Sequence, residues 1–263
     1  VTSTQAMLQG QIPGVTVTSA GGDPSSTPSI VIRGQGSKNG DSVLWVVDGI
    51  PGAPINSLND IESIVVLKDA ASAAIYGAQS GAGGVILVTT KKGTKGVSVS
   101  YDGLVGVRQA TNVIESLNAQ EQIEMVNRAY AAAGQTPPDG WNTAINPYVG
   151  ETRTDWLKEI FQNALYHRHN VVLNGGTDNT RNRLSFSLED NDGVIYNTYS
   201  KNVGINYRGE FDINKYFTIT EDLSWRQGDS KGTDTDSNGY SGTIYRALAM
   251  PQSASRYFWD GTG

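Results

Sequence analysis

The chain has 263 residues, a net charge of −6, 38% hydrophobic residues, 31 glycines and no cysteine. That length suits one large domain or two smaller ones, and the acidic balance argues against a general nucleic-acid binder. The missing cysteines exclude disulfide frameworks, Cys-ligated zinc and thiol catalysis. High glycine favours a turn-rich β protein over a compact helical enzyme. No apolar run approaches the roughly 20 residues of a membrane helix, whereas alternating strands of a membrane barrel leave only a weak hydropathy signal. Val1 is not a start residue, and no basic-then-apolar leader follows it, so the sequence is expected to begin inside a longer protein.

In chain order, residues 6–8 read as a helix end before Gly10. In QIPGVTVTSA (11–20), Val15 and Val17 alternate with Thr16 and Thr18, which predicts a turn and then a strand. GGDPSSTP (21–28) reads as a loop, and SIVIRG (29–34) as a short strand ending in Arg33 and Gly34. Taken alone, Arg33 is a solvated charge. Residues 43–47 form an apolar run expected of a strand covered on both faces. Asp48-Gly49 with Pro51 and Pro54 marks a turn, and Asn59 or Asp60 is placed to cap a short turn before Ile61. Another apolar strand is expected over 64–67. A short Ala-rich helix follows over 68–76, capped by Asp69 and stopped by Gly77. Gly81, Gly83 and Gly84 tighten the next turn, and VILVTT (85–90) is a third strand. The expectation is a β-α-β unit on a small sheet.

Glycines at 77–84 invite a phosphate-loop reading. A phosphate loop runs strand, glycine turn, helix, however, and here the glycines follow the helix. Asp48, Lys68 and Asp69 have no nucleophile or histidine near them in sequence, so caps and surface ion pairs are the plainer reading.

VLWVVDGIP, NDIESIVVLKDAASAAIYG and GGVILVTTKKG, preceded by LQGQIPGV and VIRGQGS, resemble the plug domain of TonB-dependent outer-membrane transporters, in the SusC/RagA-like branch. The resemblance covers about residues 4–93, with five motifs in order. GAQSGAGG at 77–84 departs from the Arg and Ala-Asn-Gly common there, so a plug–barrel contact made by that Arg is not carried over. The resemblance implies a plug over 1–93 that gates a barrel. Arg33, Gly34, Asp48, Gly49, Lys68, Asp69, Tyr76, Gly77, Gly83 and Gly84 would shape its turns.

After residue 93 the period becomes strict alternation. Val97, Val99, Tyr101, Val105 and Val107 share one face of the first strand, with Leu104 an exception on the other. Leu184, Phe186 and Leu188 oppose Arg183, Ser185, Ser187 and Glu189. Val203, Ile205, Tyr207 and Phe211 oppose Asn202, Asn206, Arg208, Glu210 and Asp212. Phe217, Ile219, Leu223 and Trp225 oppose Thr218, Thr220, Asp222, Ser224 and Arg226, with Glu221 interrupting the apolar face. A weaker strand runs over 166–174. Lengths near ten residues suit tilted bilayer spans.

The connections support this. Short turns at 174–179 and near Ile213-Asn214 alternate with long segments at 112–165, 189–200 and 227–263, and this parity puts the plug's exit on the short-turn, periplasmic side. Amphipathic helices are expected within the first long loop, over 118–133 from an Asn118/Glu121 capping box and over 154–165. Their apolar residues read as packing; Trp141 and Tyr148 between them are freer to meet substrate or partner. HNVVLNGG and RLSFSLEDNDGVI also resemble early barrel strands of the SusC family.

Two smaller patterns carry less. His167 and His169 share a strand face, but two histidines without carboxylates do not make a metal site. Asp234, Asp236 and Asn238 match the opening of a Ca²⁺ loop, yet the twelfth position is Tyr245, not Glu. Asp234, Asp236 and Tyr240 read better as outer-loop candidates for ligand or partner contact.

The expected fold is therefore an α+β plug domain (1–93) followed by antiparallel transmembrane β-barrel strands (94–263). These would be the N-terminal part of a large barrel, in this family about 22 strands. The resemblance implies import of an oligosaccharide or peptide without enzymatic chemistry or cofactor. It also implies a SusD-like surface lipoprotein, TonB acting on an N-terminal segment, and the lipid of a Gram-negative outer membrane. A soluble secreted β-rich carbohydrate-binding module is the alternative.

Overall fold

The structure is a computed structural model. It describes residues 8, 10, 12–18, 23–26, 28–32, 43–68, 73, 75–76, 83–111, 113–233 and 242–256. The chain forms two compact units, one of residues 1–107, 165–192 and 199–232, the other of residues 108–164, 193–198 and 233–263.

In the first unit, β1 (Val15–Thr18) pairs antiparallel with β2 (Ser29–Ile32). Val15 and Val17 are buried and the threonines exposed, as the alternation predicts. A four-stranded sheet follows, with β3 (Leu44–Val47), β4 (Ile50–Pro51), β5 (Ile61–Leu67) and β6 (Val85–Thr90) in the order β4-β3-β6-β5. Two apolar clusters cover its opposite faces. Val47, Ile86 and Val88 pack with Leu8, Val15, Val17, Ile30 and Ile32, while Val46, Val85 and Ala73 pack with Leu44, Leu67, Tyr76 and Leu87. Coverage on both faces is why 43–47 and 85–88 read as unbroken apolar runs.

Three expectations need correcting. β3 and β6 are parallel, but β5 and β6 are antiparallel, so the segment between them is no parallel β-α-β crossover. Asp48-Gly49 is the two-residue turn of a β3–β4 hairpin, with φ of 49° and 87°. Asp and Gly are the residues that accept positive φ at such a turn. The 3-10 turn Leu58–Asp60 is capped by Ser57, whose side chain accepts from Asn59 N, and by neither Asn59 nor Asp60. The expected helices at 6–8 and 68–76, Arg33, Gly34, Asp69, Gly77 and Gly81 lie outside the described residues in whole or large part.

The same unit holds a five-stranded antiparallel wall, β7 (Gly96–Arg108), β8 (Ala164–Gly176), β9 (Thr180–Asp192), β10 (Tyr199–Asn214) and β11 (Phe217–Lys231), each beside its neighbour in sequence. The strands outrun the expected lengths. The connection expected over 189–200 thus narrows to 193–198, and β10–β11 turns within Lys215–Tyr216. One wall face carries Val97, Val99, Tyr101, Val105, Val107, Leu173, Leu184, Phe186, Ile205, Ile219, Leu223 and Trp225, all exposed, Val97 to 89%. Glu221 stands on this face opposite Gly209. The connection from β6 to β7 lies at the short-turn end, because Lys95 is paired with Asp178 in the β8–β9 turn. A Cβ on Gly176 would come 2.6 Å from the Thr94 carbonyl oxygen.

In the second unit, α1 (Ala119–Ala132) begins with the predicted capping box between Asn118 and Glu121. α2 (Trp156–Ile160) is shorter than the predicted 154–165. It starts at the Asp155 cap, and Phe161 leaves to bridge Ile195. α3 (Thr243–Ala249) is a helix the sequence reading did not anticipate.

Candidate gating site

The second wall face is polar, and the sheet of β3 to β6 is fastened to it. Asp60, 4% exposed, accepts from Arg183 Nη2 at 2.9 Å, Ser185 Oγ at 2.6 Å and Asn206 Nδ2 at 3.0 Å. Alternation puts Arg183 and Ser185 on one face of β9, and Asn206 comes from β10. The 3-10 turn ends at Asp60, and its backbone is fixed by Asp60 N to Ser57 O and Lys91 N to Asp60 O. The carboxylate is therefore presented by a rigid corner.

Asp48 makes a second contact. Its carboxylate accepts from Thr90 N at 3.0 Å and Thr90 Oγ1 at 2.6 Å, and pairs with Arg208 Nη1 at 2.7 Å. Arg208 also donates to Thr90 Oγ1 and lies 3.5 Å from Asp222 on β11. Charge-assisted bonds of this kind each contribute about 1.5–3 kcal/mol when intact. Leaving one partner buried and alone costs about 3–5 kcal/mol.

Asn56 is a neutral key between these pairs. Its Nδ2 lies 2.7 Å from Asn206 Oδ1, 3.0 Å from Trp225 O, 3.1 Å from Ser224 Oγ and 3.3 Å from Ile205 O. Gly204 makes room for it, since a Cβ there would sit 2.7 Å from the Asn56 Cβ. Arg226 donates to the Ile55 carbonyl at 3.0 Å, and Ser187 Oγ donates to the Asn56 carbonyl at 3.2 Å.

At the short-turn end, Glu210, 5% exposed, pairs with Lys92 at 2.7 Å and Arg181 at 2.9 Å. Gly93 passes so close to the wall that a Cβ would meet the Asn182 backbone at 2.6 Å. A cavity of ≈ 430 Å³ lies along this seam, lined among others by Asp48, Asn56, Asp60, Arg183, Asn206 and Arg208.

Of the residues singled out from sequence, Asp48 and Gly49 stand at this seam. Lys68 is instead bonded to the Pro13 carbonyl within the N-terminal sheets. Tyr76 packs on the second apolar cluster, and Gly83 and Gly84 lead into β6, Gly84 with φ 84°. In the second unit, Trp141 is half-buried in a 3-10 turn, and Tyr148 is exposed with the Arg153 guanidinium 4.7 Å over its ring. Asp234, Asp236, Asn238 and Tyr240 lie outside the described residues. Tyr101 Oη and His169 Nδ1 are 2.6 Å apart, and no group of three metal-ligating side chains occurs among the described residues.

The residues missed were Asp60, Asn56, Arg183, Arg208 and Glu210. Alternation places Arg183, Arg208 and Glu210 on the polar face of their strands. Nothing local distinguishes a lumen-facing arginine that meets a carboxylate from one that meets water.

A mixed sheet held by buried carboxylates against the polar face of an antiparallel wall, whose other face is bare and apolar, has the arrangement of a plug against the first strands of a β-barrel. Residues 1–85 match the TonB-dependent Receptor Plug Domain family. The chain is 33% identical over 267 residues to TonB-dependent receptor P3 of Formosa agariphila, an alignment covering 99% of this chain and 25% of that protein. It is 36% identical over 208 residues to TonB-dependent receptor SusC of Bacteroides thetaiotaomicron, covering 74% and 20%. Its fold is similar to the RagAB peptide importer in the closed-closed state, with TM-score 0.77 and 25% identity, covering 98% of this chain and 32% of that one. The chain belongs to the SusC-like TonB-dependent receptors, and it spans about a quarter of the length of the curated relatives it matches.

Proposed function

We propose that residues 1–93 plug, and residues 94–263 begin, the barrel of an importer in a Gram-negative outer membrane. It takes up an oligosaccharide or peptide, does no bond-making chemistry, and works with a SusD-like lipoprotein above and TonB below. The observation that carries this reading is the pairing of plug carboxylates Asp48 and Asp60 with lumen-facing Arg208 and Arg183, on strands whose opposite face is exposed and apolar. Held this way, the plug closes the lumen. A pull on its N-terminal side breaks a small set of strong contacts and opens a path. Asp48-Gly49 shapes the hairpin that delivers one of them. Trp141, Tyr148 and the loop of Asp234, Asp236 and Tyr240 are assigned to the outer surface, where cargo or the lipoprotein arrives.

Expressed at full length in a Gram-negative host, the protein should fractionate with the outer membrane, require detergent for extraction, and import cargo only when TonB is present. A chain released into the soluble fraction without detergent would favour the secreted carbohydrate-binding alternative, to which the bare apolar wall face is a poor fit.

A further inference from the structure

We infer that the wall residues now holding Asp60 form a carboxylate receptor that is handed to the cargo when the plug leaves, so that the cargo is anionic. The inference rests on the importer reading above.

Arg183 and Arg208 are directly opposite each other on β9 and β10, pointing to the same face. Like charges in that position are destabilising. They are tolerated because Asp60 and Asp48 of the plug, with Asp222 of the wall, supply counter-charge. Among the described residues, the ion pair of Arg183 is with Asp60 alone. When the plug withdraws, Asp222 stays near Arg208, but the guanidinium of Arg183 loses its partner. A guanidinium left so, in a half-enclosed lumen, strongly favours another anion.

The geometry for that anion is already built. Arg183 Nη2, Ser185 Oγ and Asn206 Nδ2 converge on the two oxygens of one carboxylate at 2.6–3.0 Å. All three donors belong to the wall, so they persist after the plug has gone. The Asp60 carboxylate occupies the place of a cargo carboxylate or sulfate. Toward the outer end of the same face, Arg226 is bonded to the plug carbonyl of Ile55 and is released with it. Arg168, opposite Glu189 and 3.6 Å from Asp102 of β7, keeps its wall counter-charge whether or not the plug is present. An anionic oligomer would thus find the released Arg226 toward the outer end and the three-donor receptor deeper. Uronic-acid or sulfated oligosaccharides and acidic peptides share this chemistry.

The test is TonB-dependent uptake by cells carrying the full-length protein, with four labelled probes. Tetragalacturonate is compared with maltotetraose, and tetraglutamate with tetraglutamine. In the wild type the anionic member of one pair is favoured, and which pair identifies the source. The double variant Asp60→Asn with Arg183→Gln keeps both side chains polar but removes the charge and the reach of Arg183. Its anionic-to-neutral uptake ratio should fall about tenfold, the loss of one charge-assisted contact. If that protein does not reach the membrane, the exchange Asp60→Arg with Arg183→Asp retains an ion pair and should drive the ratio down further. An unchanged ratio in the variant, or a wild type that favours the neutral probes, overturns the inference. A wild type that imports none of the four in a TonB-dependent way sinks the importer reading, and this inference with it.

Discussion

Asp60 accepts three hydrogen bonds from the wall and sits at the end of a turn fixed by its own backbone. Replacing it by alanine strands Arg183, so plug seating should weaken by about 3–5 kcal/mol, whereas removing both partners should cost less than the two single changes added together. Hydrogen exchange at the β6 amides of the four proteins measures this coupling. Additive losses would mean that the pair is not a latch. This site was barely legible in the sequence. An Asp before an apolar strand has the signature of a cap, and Ser57 rather than Asp60 turned out to do the capping. Alternation places Arg183 and Arg208 on the polar face of their strands, but it reports only the side of a strand. Which plug atom waits there is a long-range fact, settled by packing between segments more than a hundred residues apart.

At the scale of elements, the sequence was most informative where a local rule fixes the answer. Period-two alternation gave all five wall strands and their faces, since a strand apolar on one side and polar on the other cannot change register without exposing the wrong set. The Asn118/Glu121 capping box gave the start of α1. Asn118→Ala should raise exchange of the first-turn amides of α1 by an amount corresponding to about 1 kcal/mol. No change there would mean that contacts along the helix, and not its cap, fix its start. Less legible were features set by partners distant in sequence. β6 pairs parallel with β3 on one edge and antiparallel with β5 on the other, and the end of α2 is set by Phe161 bridging Ile195. Strand ends also ran past expectation, because ladder pairing continues through polar residues such as Asp190 to Asp192 that look like loop in a hydropathy pattern.

For the whole first unit, the architecture separates two kinds of surface. The exposed face of the wall is apolar and suits lipid, while the other face is dense in Arg, Asp, Asn and Ser and suits a polar plug. Among the described residues, polar contacts from plug to wall include those of Asp48, Ile55, Asn56, Asp60, Thr90 and Lys92, separate points of strong bonding. A seam of that kind holds firmly at rest and parts without exposing a large apolar surface. The most direct test of the gate is to weld it. Asn56 Nδ2 of the plug lies 3.1 Å from Ser224 Oγ of β11, so Asn56→Cys with Ser224→Cys should close a disulfide after a small shift. In the full-length protein the oxidised form is predicted to lose TonB-dependent uptake and to regain it on reduction. Equal uptake by the oxidised and reduced forms, with the disulfide formed, would contradict a plug that must leave this wall for cargo to pass.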